Sequence, residues 1–509
     1  MSFDIIIIGS GIGGLTAGAL LARYGKKVAI FESHSIAGGA AHSFVRQGFK
    51  FDSGPSFYCG LGKDSSSLNP LKQVLDIIGE SLEVVSYDPL GHYHFPEGEF
   101  PVFSDLDKYR QAVAKITPQG AKELEHFESI MLGLYDCLKD IPTITLRSDL
   151  KLIPVLISHY FPALVKTLFQ VGIIQGSVGD VMDKTVKDPW VRRLIDLECF
   201  LLSGLKAQGT VAPEVAFMLG ERTRAGVEYP LGGSEAIVNA LIKGFKQWGG
   251  ELYLSHHVDK IIVKSGKVTG IKLRKGDVIE APTVISNATV WDTYNHLLAP
   301  EDLPKNYREK ELKTPTVESF MHLHLGIKAS GLENLTGHHV IVHDSNQDIS
   351  VPGNTCMISI PSVWDKNLAP DGHYVIHAYT LEPYQGWEKN DDYEVKKKQR
   401  SQSLYKAIEK VIPDIRQRVV LELIGTPLTH ARFLRRHQGT YGPAIAAGKG
   451  LFPSCHTPIE GLYRVGDSTL PGIGVPAVAA SGILCANTLV SPKTVDKFIN
   501  QMIKKPPLM

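Results

Sequence analysis

The stretch that most constrains this chain is its opening, Ile5-Ile6-Ile7-Ile8-Gly9-Ser10-Gly11-Ile12-Gly13-Gly14. Residues 3–9, an isoleucine run closed by glycine, read as a parallel strand buried on both faces. An Ala- and Leu-rich helix over residues 15–24 and a second strand over 27–32 complete the start of a βαβ unit. In that setting Gly9 permits the tight turn, Gly11 lets the backbone approach a diphosphate, and Gly14 lets the helix pack on the strand. The helix start offers free N–H groups and a favourable dipole to an anion. Glu32 ends the second strand, where a carboxylate accepts ribose hydroxyls and repels a 2′-phosphate. The expectation is a dinucleotide site that takes FAD or NAD rather than NADP.

Three further segments favour FAD. Gly38-Gly39-Ala40-Ala41 is a loop of small residues whose backbone can reach phosphate or flavin. Phe51-Asp52-Ser53-Gly54-Pro55-Ser56 is a turn suited to lining the cofactor. Near the far end, Leu462-Tyr463-Arg464-Val465-Gly466-Asp467 stops a strand at a Gly-Asp pair, with the acid placed for a ribityl chain or a phosphate-linked water. Each is a structural turn when taken alone; together with the opening they describe two halves of one site.

The sequence of 509 residues suits two interleaved domains rather than one core. From 65 to 226 the pattern is mostly helical, with loops expected at Pro118 and Pro142. A helix is expected over 234–248, then strands over 251–254, 258–264 and 268–273, with Gly266 in a turn. Residues 290–453 mix strands and helices. The fold class is therefore α/β: a discontinuous dinucleotide domain (1–64, 230–290 and 455–509) with an interleaved α+β substrate domain (65–229 and 291–454). The tail Lys504-Lys505-Pro506-Pro507 reads as a solvated end.

With 54 basic and 53 acidic residues the chain lacks the basic face that nucleic-acid binding by counterion release requires. Its six cysteines form no CxxC pair, which fits free thiols in a reducing compartment. A first strand beginning at Phe3 leaves no room for a signal or transit peptide, so the expected address is the cytosol or a membrane surface facing it. Residues 152–174 and 468–491 are apolar, but prolines, glycines and polar residues interrupt both, and neither reads as a spanning helix.

The motifs as a set resemble the phytoene desaturase and carotenoid isomerase family of flavoproteins, nearest the carotenoid isomerase and retinol saturase branch. The resemblance is carried by the opening glycine motif and Phe51-Asp52-Ser53-Gly54, then Tyr229-Pro230-Leu231-Gly232-Gly233 and Ser286-Asn287-Ala288-Thr289. It continues through Thr426-Pro427-Leu428-Thr429-His430, Arg435, Gly439-Thr440-Tyr441-Gly442 and Val465-Gly466-Asp467-Ser468 with Pro471-Gly472. It spans nearly the whole chain and implies an amine-oxidase-like fold, shared with Rab dissociation inhibitors, around FAD. It implies that Val258 holds the adenine through its backbone and that Gly474 and Val475 start a helix along the flavin ring. The implied substrate is a long polyene, carotenoid or retinoid, that is isomerised cis to trans with reduced FAD, or else desaturated or saturated. The absence of a leader departs from the plant isomerases and suits an unprocessed protein.

On the substrate side, Tyr160, Phe161, Leu164, Leu168 and Phe169, with Lys151, His159 and Lys166, read either as an interfacial helix that admits a lipid-soluble substrate or as a packed cap helix. Asp196 and Glu198 lie in an apolar context that can raise a carboxyl pKa, making them candidate catalytic acids; the competing role is salt-bridging. Arg435, Arg436 and His437 are candidates to support the flavin. No metal is expected: His339 and His343 in a strand stand roughly 13 Å apart, and the His92/His94 and His322/His324 pairs show no third ligand in the sequence. Two rival readings remain: an amine-oxidase-like enzyme with a polar substrate, and a non-catalytic prenyl-binding carrier on the same fold.

Overall fold

The computed structural model describes residues 2–54, 56–62, 67–168 and 170–503, with side chains through 499. Pro55, Phe169 and the segment Lys504-Lys505-Pro506-Pro507 lie outside the described residues.

The Ile5–Ile8 strand sits at the centre of a five-stranded parallel sheet, flanked by Val28–Phe31 on one side and Thr283–Ser286 on the other. Glu251–Tyr253 and Leu462–Arg464 form its edges. Ile5 and Ile7 pack into one apolar layer, Ile6 and Ile8 into the opposite one. Burial on both faces is why this strand shows no polar alternation.

The first helix is Ile12–Arg23, three residues earlier at its start than the Ala/Leu pattern suggests. Gly13 and Gly14 belong to it because nothing larger fits: a Cβ on Gly14 would stand 2.3 Å from the Gly9 carbonyl oxygen. A second helix, Val475–Thr488, packs against it where Gly482 meets the Gly13 carbonyl. Val258–Lys264, Lys267–Leu273 and Val278–Glu280 form a small antiparallel sheet over the other face.

A seven-stranded sheet forms the second layer system. Its central strands are the long Ser319–Lys328 and His373–Glu382, paired antiparallel over their whole length. Its far edge, Gly91–Phe95 and Gly98–Val102, comes from a region whose sequence reads as helical. The alternation there is carried by Tyr93, Phe95, Phe100 and Val102, aromatic and β-branched residues that favour a pleated surface over a helix. Pro118 likewise begins a helix, Pro118–Leu138, instead of lying in a loop. Thr117 caps it through Gly120 N–H, and proline is tolerated in the first turn, where its missing N–H has no intrahelical acceptor.

His338 and His339 are buried in this sheet, and burial pushes both rings down to about 3. Each folded-state pKa lies below the unfolded value near 6.5, so between those pH values the unfolded chain takes up protons that the folded chain refuses. Stability is therefore full above about pH 6.5 and falls as the pH drops toward 3. Urea midpoints measured from pH 7.5 down to 4.5 should decrease monotonically, and His338→Asn should flatten the slope.

Candidate functional site

A cavity of about 1030 Å³ opens at the carboxyl edge of the five-stranded sheet and runs toward the seven-stranded one. Gly9, Gly11, Glu32, Gly38, Gly39, Val258, Gly466, Asp467, Gly474 and Val475 all line it. The two ends of the chain thus meet there. The contact is direct: a Cβ on Gly13 would lie 2.9 Å from the Gly466 nitrogen. Gly14 does not line the cavity but sets how closely the helix sits on Gly9.

Both helices aim bare N-termini at this space. Ile12–Arg23 has no side-chain cap and no acid in its first turn, and neither does Val475–Thr488. Uncapped N–H groups at two helix starts make one positively polarised lip, suited to a diphosphate and to an electron-rich ring edge. Gly38 bonds back through its N–H to the Ser10 carbonyl at 3.0 Å, which brings the Gly38-Gly39 loop across Gly11. A Cβ on Gly39 would approach the Gly11 Cα at 3.1 Å. This is a cradle that side chains would fill.

Glu32 Oε2 accepts from the Ser10 backbone N–H and hydroxyl, both at 2.8 Å, and Oε1 accepts from His34 N–H at 2.8 Å. The carboxylate is therefore fixed at the end of its strand with its edge on the cavity. Val258, in the wall beside it, opens the strand Val258–Lys264.

Asn287 is a residue that sequence reasoning quoted only as part of a motif. Its Nδ2 donates to the Gly9 carbonyl at 3.4 Å, while its Oδ1 stands where Cβ atoms on Gly13 and Gly466 would be, at 2.9 and 2.8 Å. One side chain thus wedges the opening loop against the closing one. Its position directly after the strand Thr283–Ser286, in line with Gly9, is the signal that could have found it.

Asp467 is engaged on both oxygens: Arg436 Nη2 pairs with Oδ2 and the Ser468 hydroxyl donates to Oδ1 at 3.2 Å. Arg436 also donates to the Thr440 and Tyr441 carbonyls, at 2.9 and 3.1 Å. The acid fixes an arginine in the cavity wall, a role the ribityl reading did not include. Arg435 and His437 line the same wall, with His437 stacked on Trp291.

The far wall is of another kind. Phe320, Met357, Tyr379 and Tyr384 from the seven-stranded sheet and its loops face Phe200 and Leu201 from the helix Pro189–Ser203. Asp196 and Glu198 of that helix, the expected candidate catalytic acids, are not among the residues that line the cavity. Residues two apart on a helix point away from each other. Asp196 accepts from Ala207 N–H at 2.9 Å, and burial raises its pKa against that bond. Glu198 takes Tyr109 O–H at 3.2 Å and the buried Arg222 at 3.3 Å. Their partners give both the salt-bridging and capping role.

His322, His377 and His430 line the cavity between the two walls, with His324 stacked on His377 from the strand that also carries His322. Burial pushes His322 and His377 far down and His324 and His430 to about 4, so all four are neutral at physiological pH.

The NAD(P)-binding Rossmann-like domain family matches residues 7–75, and the flavin-containing amine oxidoreductase family matches residues 177–490. A chloroplastic prolycopene isomerase from an Oncidium hybrid cultivar is 36% identical, over 97% of this chain and 85% of its own. The chain belongs to the flavin-containing amine oxidoreductase family. A neurosporene-forming phytoene desaturase from Rhodobacter capsulatus is 27% identical over 95% of this chain and 93% of its own. Among solved structures, an oxidoreductase from Methanosarcina mazei shares the fold with a TM-score of 0.62 at 20% identity, covering 95% of this chain and 99% of its own. The cofactor of this flavoenzyme is FAD, and the residues present fit it. Gly11, Gly38 and Gly39, bare of side chains, would leave room for the diphosphate beside the start of the first helix. Glu32, held at its strand end, would meet the ribose, and the helix that Gly474 and Val475 begin would carry the ring.

Proposed function

We propose that this flavoenzyme acts on a long conjugated polyene and isomerises cis double bonds of a carotenoid such as poly-cis lycopene. The observation that carries the reading is the joining of the FAD cradle, in one cavity, to a wall of Phe200, Leu201, Phe320, Met357 and Tyr379. The near-full-length relation to prolycopene isomerases supports it. FAD supplies two-electron chemistry or, when reduced, electron density to an adjacent polyene. The chain binds and orients. Its aromatic wall holds a flat apolar chain against the cofactor and excludes water. Neutral histidines present polar edges without a charge. Arg436, clamped by Asp467, keeps a fixed positive charge in the wall, and the helix starting at Val475 favours negative charge beside it.

Incubation of the purified holoprotein with poly-cis lycopene under anaerobic reducing conditions should give more extended isomers of unchanged formula. Unaltered geometry with the flavin fully reduced would sink the isomerase reading. Products differing by two hydrogens would support the desaturase or saturase reading instead.

The substrate's solubility calls for contact with a membrane, and the helix Leu152–Leu168 supports such contact. Only Ala163 on it is buried, while Ile153, Ile157, Phe161 and Leu168 are 56%, 55%, 59% and 69% exposed. It breaks at Tyr160, next to Pro162, so the apolar face is split into two short segments. No helix among the described residues is long and apolar enough to cross a bilayer; this one has the length and composition to lie in its surface. Burying a Leu, Ile or Phe side chain contributes roughly 1.5–3 kcal/mol. Ile153→Glu with Phe161→Glu should therefore lower vesicle partitioning at least tenfold in flotation assays while leaving flavin content intact. Equal flotation of the variant would refute the contact.

A further inference from the structure

His322, His324 and His377 are each at least nine-tenths buried, and one ring nitrogen from each lies within 4.8 Å of the other two. His322 Nδ1 and His377 Nε2 share a hydrogen bond at 2.9 Å, whose proton must move to an outward ring nitrogen for both atoms to ligate a metal. His322 Nε2 and His377 Nδ1 have no partner. His324 Nε2 donates to the Asp52 carbonyl at 3.2 Å. That bond keeps the ring's proton on Nε2 and leaves Nδ1 as a bare lone pair, the arrangement by which metal-binding histidines are commonly oriented. No carboxylate or lysine is among the three, and His322 and His377 open onto the flavin cavity.

We propose that His322, His324 and His377 bind one first-row transition-metal dication in the wall of the flavin cavity. Imidazole nitrogens at about 2.0–2.1 Å from a metal and 2.9 Å from each other subtend an angle of about 90°, that between neighbouring ligands of a six-coordinate ion. Three neutral imidazoles on one side of such an ion leave its remaining positions toward the cavity. The rings lie nearly parallel, His324 on His377 at 4.3 Å and His322 beside His377 at 5.2 Å. Ligation therefore requires them to tilt about their side-chain torsions. The site is independent of which polyene the enzyme takes.

A second histidine group on the same sheet provides an internal contrast. His94 bonds Glu99 at 3.0 Å and His339 at 3.1 Å, and His339 also reaches the Thr336 carbonyl at 3.1 Å. Both nitrogens of those two rings are occupied within the protein, so that group is a hydrogen-bonded network with no lone pair to offer.

The test is equilibrium dialysis of chelator-stripped, FAD-loaded full-length protein against Zn²⁺ and Co²⁺, with bound metal counted by mass spectrometry. One ion per chain is expected. Affinity should drop at least tenfold in His322→Asn and His377→Asn and stay unchanged in His92→Asn, each variant keeping its flavin spectrum. Far less than one ion per chain in the wild type, or binding that survives both substitutions, overturns the site. If a variant fails to fold, the ligand-field absorption of Co²⁺ bound to the wild type decides: imidazole coordination supports the site, and a spectrum of hydrated ion refutes it.

Discussion

Gly14→Val should purify without colour. The Gly14 Cβ position is 2.3 Å from the Gly9 carbonyl oxygen, 3.1 Å from Asn287 Nδ2 and 3.3 Å from its Cβ. Backbone cannot yield there as a flexible side chain can, so the helix start must lift off the strand. That displaces the N–H groups meant for the diphosphate and frees Asn287, which ties Gly9 to Gly466. Flavin affinity should fall by at least a hundredfold, equivalent to about 2.8 kcal/mol. The measurement is visible absorbance per chain after gel filtration, beside far-UV circular dichroism. Gly11→Val gives a graded comparison, since its Cβ meets only the movable Asn287 amide, at 2.8 Å. A Gly14→Val protein with native helicity and full flavin content would contradict the geometry.

Glu311→Leu should be strongly destabilising. Arg464 is 1% exposed and pairs with Glu311 at 3.2 Å, with Tyr294 O–H at 3.1 Å and the Ser468 carbonyl at 2.9 Å. Removing one partner of a buried pair leaves an uncompensated charge and costs about 3–5 kcal/mol. Replacing both partners by apolar groups removes that charge, so Arg464→Met with Glu311→Leu should recover much of the loss. Denaturant midpoints of the two singles and the double form the cycle. Because Arg464 leads directly into Val465-Gly466-Asp467, the single variants should also shed flavin. A double variant no more stable than Glu311→Leu would show that the pair is not the source of the effect.

The cofactor half was legible in the sequence because its demands are local. A turn that only glycine can make, an acid at a strand end and a helix start are each written within a few residues. The helical reading of the region around residues 91–102 failed because the alternation of Tyr93, Phe95, Phe100 and Val102 spans only a short hairpin inside a helical stretch, and no local pattern announces the further pairing of Gly91–Phe95 with the distant His338–Val342. Asp196 and Glu198 looked catalytic because apolar neighbours in sequence were taken for an apolar cavity. On a helix, direction decides, and those carboxylates face Ala207 and Arg222. His377 was invisible for the complementary reason: it meets His324 only through the register of two long strands.

The strand Leu462–Arg464 and the helix Val475–Thr488 place the last parts of the cradle within the final tenth of the chain. During synthesis the opening βαβ unit must wait, with its anion lip unanswered, until the distant Leu462–Arg464 and Val475–Thr488 segments have also been made. Coenzyme capture is then a late event relative to the making of the opening unit, because both halves of the grip must be present before either can close.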